Sequence, residues 1–275
     1  MAHGALMRWA ARLEADLTGL RRRENPALDR LKADPARLLA DAGMPADPWQ
    51  ADLLRRPGQR TLLLCSRQAG KSTVAAALLQ PPALVLLLSP SLRQSGELFR
   101  DKVMRLFNAL GRPVAATQET QLTMTLANGS RVVSLPGEEG TVRGFSDVAL
   151  LVIDEAARVH DDLYRSVRPM LAVSKGRLVA LSTPFGKRGW FFEEWRGTET
   201  WQRVRITAKD CPRIDPEFLK SERIALGDVF FDQEYGCVFG DCIASVFRQE
   251  DIDAIVSHAP ELDELTDQFT TILRR

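Results

Sequence analysis

An α/β fold built on a mainly parallel sheet is predicted by three features of this 275-residue chain. The apolar run Thr61-Leu62-Leu63-Leu64-Cys65 passes through a Gly-Lys-Ser turn into an alanine-rich helical run over 74–79. The run Ala149-Leu150-Leu151-Val152-Ile153 ends in Asp154 and Glu155. Strand-like and helix-like patterns then alternate through the middle of the chain, which favours helices on both faces of one sheet. Both apolar runs are unbroken rather than alternating, so they read as strands covered on both sides.

In chain order, Leu6, Trp9, Ala10, Leu13, Leu17 and Leu20 fall at helical spacing, Arg21-Arg22-Arg23 closes that helix, and Pro26 interrupts. A short helix starts near Pro35, with Asp34 as N-cap and Gly43 past its end. Residues 1–47 thus form an N-terminal helical appendage, and the core runs from Pro48 to Phe247. Residues 83–88 form the next buried strand; Ser89-Pro90-Ser91 ends it and a helix continues to about Leu110. The alternating segments 122–126 and 131–135 flank Asn128-Gly129, a strong hairpin signal. The carboxylate strand, a helix over 162–171 and a strand over 177–181 follow. Residues 248–275 read as amphipathic helix or linker.

Composition sets wide bounds. With 45% hydrophobic residues the chain can bury one sizeable α/β core with an appendage, or two small domains. Lys and Arg number 37 against 36 Asp and Glu, so any basic surface must be local. Cys65, Cys211, Cys237 and Cys242 lack zinc spacing and read as reduced thiols of a cytosolic protein. The charged N-terminus is no signal peptide, and no apolar run is long enough to span a bilayer.

The chemistry concentrates at two strand ends. In Ser66-Arg67-Gln68-Ala69-Gly70-Lys71-Ser72-Thr73 a buried strand, a tight turn and a helix start come together, the context a phosphate-binding loop needs. Successive backbone N–H groups face a phosphate and the helix N-terminus adds partial positive charge. Lys71 would reach the β- and γ-phosphates of ATP, and Ser72 would hold Mg²⁺. The usual first glycine is replaced by Cys65, so the loop is a deviant one. Asp154 is expected to help position Mg²⁺, and Glu155 to orient and deprotonate the attacking water. Read alone, the two carboxylates also suit an acidic helix N-terminus. Ser182 and Thr183, at the end of the strand after the carboxylate strand, can bond the γ-phosphate or the water. The segment 185–189 beyond them, with Lys187 and Arg188, is either a coupling loop or a solvated one.

Four motifs in this order resemble the ATPase domain of bacteriophage large terminases: Pro48-Trp49-Gln50, the loop with Arg67-Gln68-Ala69-Gly70-Lys71-Ser72, Val142-Arg143-Gly144-Phe145 leading to Asp154-Glu155, and Leu181-Ser182-Thr183-Pro184. The resemblance covers about 48–247. It implies a P-loop NTPase of the catalytic-glutamate (ASCE) type with a β-hairpin insertion. The activity implied is an ATP-driven motor that moves double-stranded DNA into a procapsid in the host cytoplasm. The partners implied are the capsid portal protein and the small terminase subunit. It further implies a homo-oligomeric ring, five subunits on the portal, from a chain that is monomeric in isolation.

By the same resemblance Gln50 recognises adenine with Trp49 beside it. Arg67 is a stabiliser or sensor of the γ-phosphate, with an ion pair at the rim of the site as its alternative. Arg143 is a finger reaching a neighbouring subunit's ATP, with a local pair to Asp147 or Glu139 as its alternative. Complete large terminases continue into a nuclease domain. Only a short acidic tail follows Phe247 here, so no endonuclease activity is expected of these residues. A helicase-like remodelling ATPase and a nucleotide-binding assembly module are the competing readings. Arg93, Arg100, Lys102, Arg105, Arg112, Arg165 and Arg168 are scattered without interleaved aromatics, so no DNA-contact surface is legible.

Overall fold

The computed structural model describes residues 26–77, 84–135, 137, 142 and 144–240. The expected helix over 6–20, Arg21-Arg22-Arg23, Arg143, Cys242 and the tail lie outside them. Eight strands form one sheet: β1 (Arg60–Cys65), β2 (Leu84–Leu88), β3 (Ala116–Glu119), β4 (Thr123–Leu126), β5 (Arg131–Leu135), β6 (Val148–Asp154), β7 (Arg177–Ser182) and β8 (Gln202–Ile206). Their spatial order is β3-β4-β5-β2-β6-β7-β1-β8. The six strands from β5 to β8 in that order are mutually parallel, and β3 and β4 add an antiparallel edge.

The unbroken apolar runs are the central strands, as their patterning requires. Leu62 and Leu64 of β1 face one side with Leu86, Leu88, Leu151 and Ile153; Leu63 faces the other with Leu87 and Val152. These side chains are 0–1% exposed, and each fully buried leucine or isoleucine contributes about 1.5–3 kcal/mol. The hairpin turns at Asn128-Gly129 as expected. Gly129 has φ +85°, and the Asn128 side chain accepts the Ser130 N–H at 3.1 Å.

Helix α1 (Pro26–Ala33) begins at Pro26, a residue tolerated in the first helical turn. Helix α2 (Arg37–Asp41) follows a turn in which the Asp34 carboxylate accepts the Ala36 N–H at 3.2 Å. Gly43 ends it at φ +73°. Asp34 also takes two hydrogen bonds from Arg55, at 2.9 and 3.1 Å, and that guanidinium lowers its pKa. Leu39 packs in one core cluster with Leu53 and Leu54 of helix α3 (Pro48–Arg55), so residues 34–43 lie against the parallel sheet's helical layer.

Helix α4 (Lys71–Ala77) follows β1. After β2 comes α5 (Leu92–Glu97), capped by Ser91, then a π-helical segment, Leu98–Met104, and α6 (Arg105–Ala109). Helix α7 (Asp161–Val167) passes into a 3₁₀ turn, Arg168–Leu171, where Pro169 lacks the N–H that an α-helix would use. Helix α8 (Gly189–Arg196) precedes β8, and α9 (Pro216–Glu234) is broken at Gly227 (φ 73°, ψ 162°).

Gly176 leads into β7 close beside the start of β6. A Cβ there would run into the Val148 carbonyl oxygen. Gly176→Ala is therefore expected to cost about 1–3 kcal/mol by overpacking, which lowers Tm by several degrees in a domain of this size. A melting curve unchanged from the wild type contradicts the contact.

Candidate active site

The turn after β1 spends its first two backbone donors on the fold. Ser66 N–H reaches the Ile206 carbonyl at 2.8 Å, and Arg67 N–H reaches the Glu234 carbonyl at 3.0 Å. From Gln68 to Thr73 no backbone N–H finds a backbone acceptor among the described residues; Val74 resumes the pattern by donating to the Gly70 carbonyl at 3.2 Å. Left-handed backbone at Gln68 (φ 59°) and Gly70 (φ 83°) curls this run around one concavity. Unspent N–H groups at the start of a helix form a cradle for an anion.

Gly70 is required by space as well as by conformation, since a Cβ would lie 2.7 Å from Gln50 Nε2 and 3.1 Å from an Arg213 nitrogen. Gln50 braces the loop. Its Oε1 accepts the Asp47 N–H at 2.9 Å, closing a capping box on α3, and its Nε2 donates to the Gly70 carbonyl at 3.2 Å. At 2% exposure both ends of its amide are engaged within the protein. Trp49 is half-buried against the core, its indole Nε1 enclosed without a hydrogen-bond partner among the described residues. Ala69 is buried, and its carbonyl accepts from Arg213 at 3.3 Å; Arg213 also pairs with Asp47 at 2.6 Å.

A cavity of about 460 Å³ opens beside the loop. It is lined by Arg67, Gln68, Gly70, Lys71, Ser72 and Thr73 of the loop and helix start, and by Glu155, Arg158 and Thr183. The Lys71 ammonium lies 3.0 Å from Glu155 Oε1. Burial works against its charge, but Glu155 and Asp154 outweigh this and hold its pKa above the ordinary lysine value. Ser72 Oγ donates to Asp154 Oδ2 at 3.1 Å, and Asp154 Oδ1 accepts the Glu155 N–H at 3.0 Å. Burial pushes the Asp154 pKa up to about 6; the Lys71 charge opposes the rise and the Glu155 charge adds to it. Ser72 and Asp154 offer a hydroxyl and a carboxylate, hard oxygen donors that fit Mg²⁺, which takes one or two protein ligands and keeps its waters. Among the described residues no group of three or more His, Cys, Asp or Glu forms a fuller metal cage.

Glu155 itself has left-handed backbone, φ 51° and ψ 41°. For a residue with a Cβ this costs about 1–2 kcal/mol, and such strain clusters where a side chain must be aimed. Its second carboxylate oxygen, Oε2, accepts from Arg158 Nη1 at 2.9 Å. The same nitrogen reaches Thr183 Oγ1 at 3.2 Å, and Arg158 Nη2 stands 4.0 Å from Glu234. Arg158 also lies over the Phe185 ring, whose centroid is 4.6 Å away, and Arg188 approaches that ring at 4.8 Å. Ser182 is fully buried, with no hydrogen-bond partner for its hydroxyl among the described residues.

The structure thus brings Lys71, Ser72, Glu155 and Thr183 to one cavity, with Asp154 buried and bonded to Ser72 and to the Glu155 N–H. Arg67 stands at its rim, 60% exposed, bonded to Glu234 Oε2 at 2.5 Å, the ion pair that was its alternative reading. Sequence reasoning did not single out Arg158, Gln94 or Arg213, and it placed Gln233-Glu234-Tyr235 within the resemblance without giving Glu234 a role. Arg158 follows Glu155 by three positions, the spacing of a helical ion pair, and that was its only local signal. Lys102 and Gln94 also line the cavity, Lys102 from the π-helical segment. Of the scattered cations, Arg93, Arg112, Arg165 and Arg168 pair with Glu97, Glu119, Asp162 and Glu194. Cys65, Cys211 and Cys237 are free and buried.

No family model matches the sequence, and no curated protein matches it. Solved structures do match the fold. The Thermus phage P74-26 large terminase ATPase domain superposes with a TM-score of 0.63 at 20% identity, covering 73% of this chain and 96% of that one. The HK97 bacteriophage large terminase gives 0.53 at 16% identity, covering 86% and 53%. The large terminase of a thermophilic bacteriophage, solved with ADP, gives 0.56 at 14% identity, covering 75% and 53%. The chain therefore has the fold of large terminase ATPase domains and spans about half the length of the longer two.

Proposed function

We propose that this chain is a DNA-packaging ATPase of the terminase type, hydrolysing ATP to translocate double-stranded DNA. The observation that carries the reading is the run of unspent N–H groups from Gln68 to Thr73, which includes Lys71, at a cavity that Glu155 also lines, with Asp154 bonded to Ser72. An anion cradle alone binds phosphate. The cradle with Glu155 opposite it can also act on a water in line with the terminal phosphoryl group.

In this reading the backbone of Gln68, Ala69, Gly70, Lys71, Ser72 and Thr73 wraps the phosphates, with Ser66 anchoring the start of the turn. Lys71 leaves Glu155 for the β- and γ-oxygens. Ser72 and Asp154 would hold Mg²⁺, which supplies charge neutralisation on the phosphates. Glu155 orients the water and takes its proton as the oxygen bonds to the γ-phosphorus. The bond to the β–γ bridging oxygen breaks and ADP departs with that oxygen. Thr183 and Ser182 sit at the β7 end, where a change at the γ-phosphate passes to Phe185, Lys187 and Arg188. Arg67 reaches the phosphates only on leaving Glu234, and Gln50 reaches adenine only on giving up a bond that braces the loop; Trp49 would sit beside that ring. The partners proposed are double-stranded DNA, the capsid portal protein, the small terminase subunit and further copies of this chain in a ring. The place proposed is the host cytoplasm, and no described helix is long and apolar enough to cross a membrane.

Titration of the protein with ATP and Mg²⁺ tests the core of this reading. Lys71→Ala is expected to weaken ATP binding at least tenfold and to abolish turnover, because a charge-assisted contact to phosphate is lost. Failure of the wild type to bind ATP overturns the reading. Stimulation of turnover by double-stranded DNA with portal protein tests the motor role.

A further inference from the structure

We infer that Arg158 is a positioning residue for Glu155, anchoring one carboxylate oxygen while nucleotide frees the other to meet water. The inference rests on the ATPase reading above. The Glu155 carboxylate is divided between two cations: Lys71 holds Oε1 at 3.0 Å, and Arg158 holds Oε2 at 2.9 Å. These two differ in what a phosphate can do to them. Lys71 belongs to the cradle, and its flexible stem lets its ammonium turn to a bound γ-phosphate. Arg158 sits on the far wall, on the 3₁₀ turn Ala156–Arg158 that directly follows Glu155. It is held there by Thr183 Oγ1 at 3.2 Å, by the Phe185 ring at 4.6 Å and by the Glu234 carboxylate at 4.0 Å.

Arrival of a γ-phosphate therefore releases Oε1 and leaves Oε2 bound. A carboxylate released at both oxygens would rotate freely; one pinned at a single oxygen keeps its other lone pairs aimed into the cavity. The guanidinium suits this task because it is planar, stays charged and presents several donors in fixed directions. The left-handed backbone at Glu155 adds a second constraint on the same side chain. Neither constraint touches the phosphates, so Arg158 is assigned an effect on turnover and none on nucleotide affinity.

The test compares Arg158→Gln, Arg158→Lys, Glu155→Gln and the double variant Arg158→Gln/Glu155→Gln, by ATP affinity, melting temperature and single-turnover hydrolysis. Arg158→Gln is expected to slow hydrolysis about 10–100-fold, a part of the full contribution of a positioned base, with ATP affinity within threefold of wild type. Arg158→Lys is expected to recover most of that loss, since a cation again reaches Oε2. In the Glu155→Gln background the Arg158 substitution is expected to change the rate less than twofold, because residues acting as one unit are not additive. Hydrolysis by Arg158→Gln within twofold of wild type overturns the inference. So does an equal loss in both backgrounds, which would place Arg158 on the phosphates. A loss of ATP affinity in both Arg158 variants together with lower melting temperatures also overturns it, in favour of a structural role. If Arg158→Gln fails to fold, Arg158→Lys decides alone: turnover more than tenfold below wild type counts against it. A wild type that binds ATP without hydrolysing it overturns the ATPase reading instead.

Discussion

Glu155→Gln is expected to slow ATP turnover by about 10²–10⁴-fold, the usual contribution of a general base, while ATP affinity holds or tightens. The second half follows from the ion pair at 3.0 Å between Lys71 and Glu155. In the free protein Lys71 must abandon that partner before it can serve a phosphate. A glutamine keeps the shape of the side chain and removes the competing charge, so ATP meets a less committed lysine. The measurement is equilibrium binding of ATP with Mg²⁺ beside steady-state turnover, wild type against variant. Near-normal turnover sinks the assignment of the base, and a tenfold loss of affinity sinks the account of the ion pair.

Arg143→Ala is expected to slow hydrolysis by the assembled protein about 10³–10⁵-fold, the range for an arginine that stabilises charge on a transferring phosphoryl group. Arg143 lies outside the described residues, so its role rests on the resemblance of Val142-Arg143-Gly144-Phe145. Its neighbour Gly144 has φ 120° and open space where a Cβ would stand. A finger supplied by a neighbour would make each site borrow charge across a head-to-tail contact, the kind that forms a ring when the rotation between copies closes. Mixing Arg143→Ala with Glu155→Gln is then expected to restore activity at interfaces that pair an intact finger with an intact base. No recovery on mixing, with Arg143→Ala inactive as a monomer, places the arginine in its own subunit's site.

The parts of the fold legible in the sequence were those where one requirement dominated. β1, β2, β6 and β7 are enclosed on both faces, so solvent leaves no polar positions to blur the pattern. β3, with Ala116-Thr117-Gln118-Glu119, and β8, with Gln202-Arg203-Val204-Arg205-Ile206, lie at the two edges of the sheet, and their polar residues hid them. In the site, the residues fixed by strand ends were legible: Lys71, Ser72, Asp154, Glu155 and Thr183. Arg158, and the role of Glu234 within Gln233-Glu234-Tyr235, were not, because what matters about them is a meeting between the turn after β6 and the end of α9. Gln50 shows the reverse case. A motif position was recognisable, yet the side chain there is enclosed as a brace of the loop.

The sheet order also bears on when the site comes into being during folding. The strands that carry Lys71 and Glu155, β1 and β6, are never neighbours; β7, which follows both in the chain, lies between them. A partly synthesised chain that stops before Gly176 holds both halves of the cavity with no seam to join them. Pairing of strands far apart in sequence is intrinsically slow, and here that slow step is insertion of a middle strand rather than addition at an edge. Nucleotide, held by the loop after β1 and met by Glu155 after β6 in the proposed function, would favour the finished sheet by mass action. On the proposed function, ATP would then act as a folding ligand as well as a substrate.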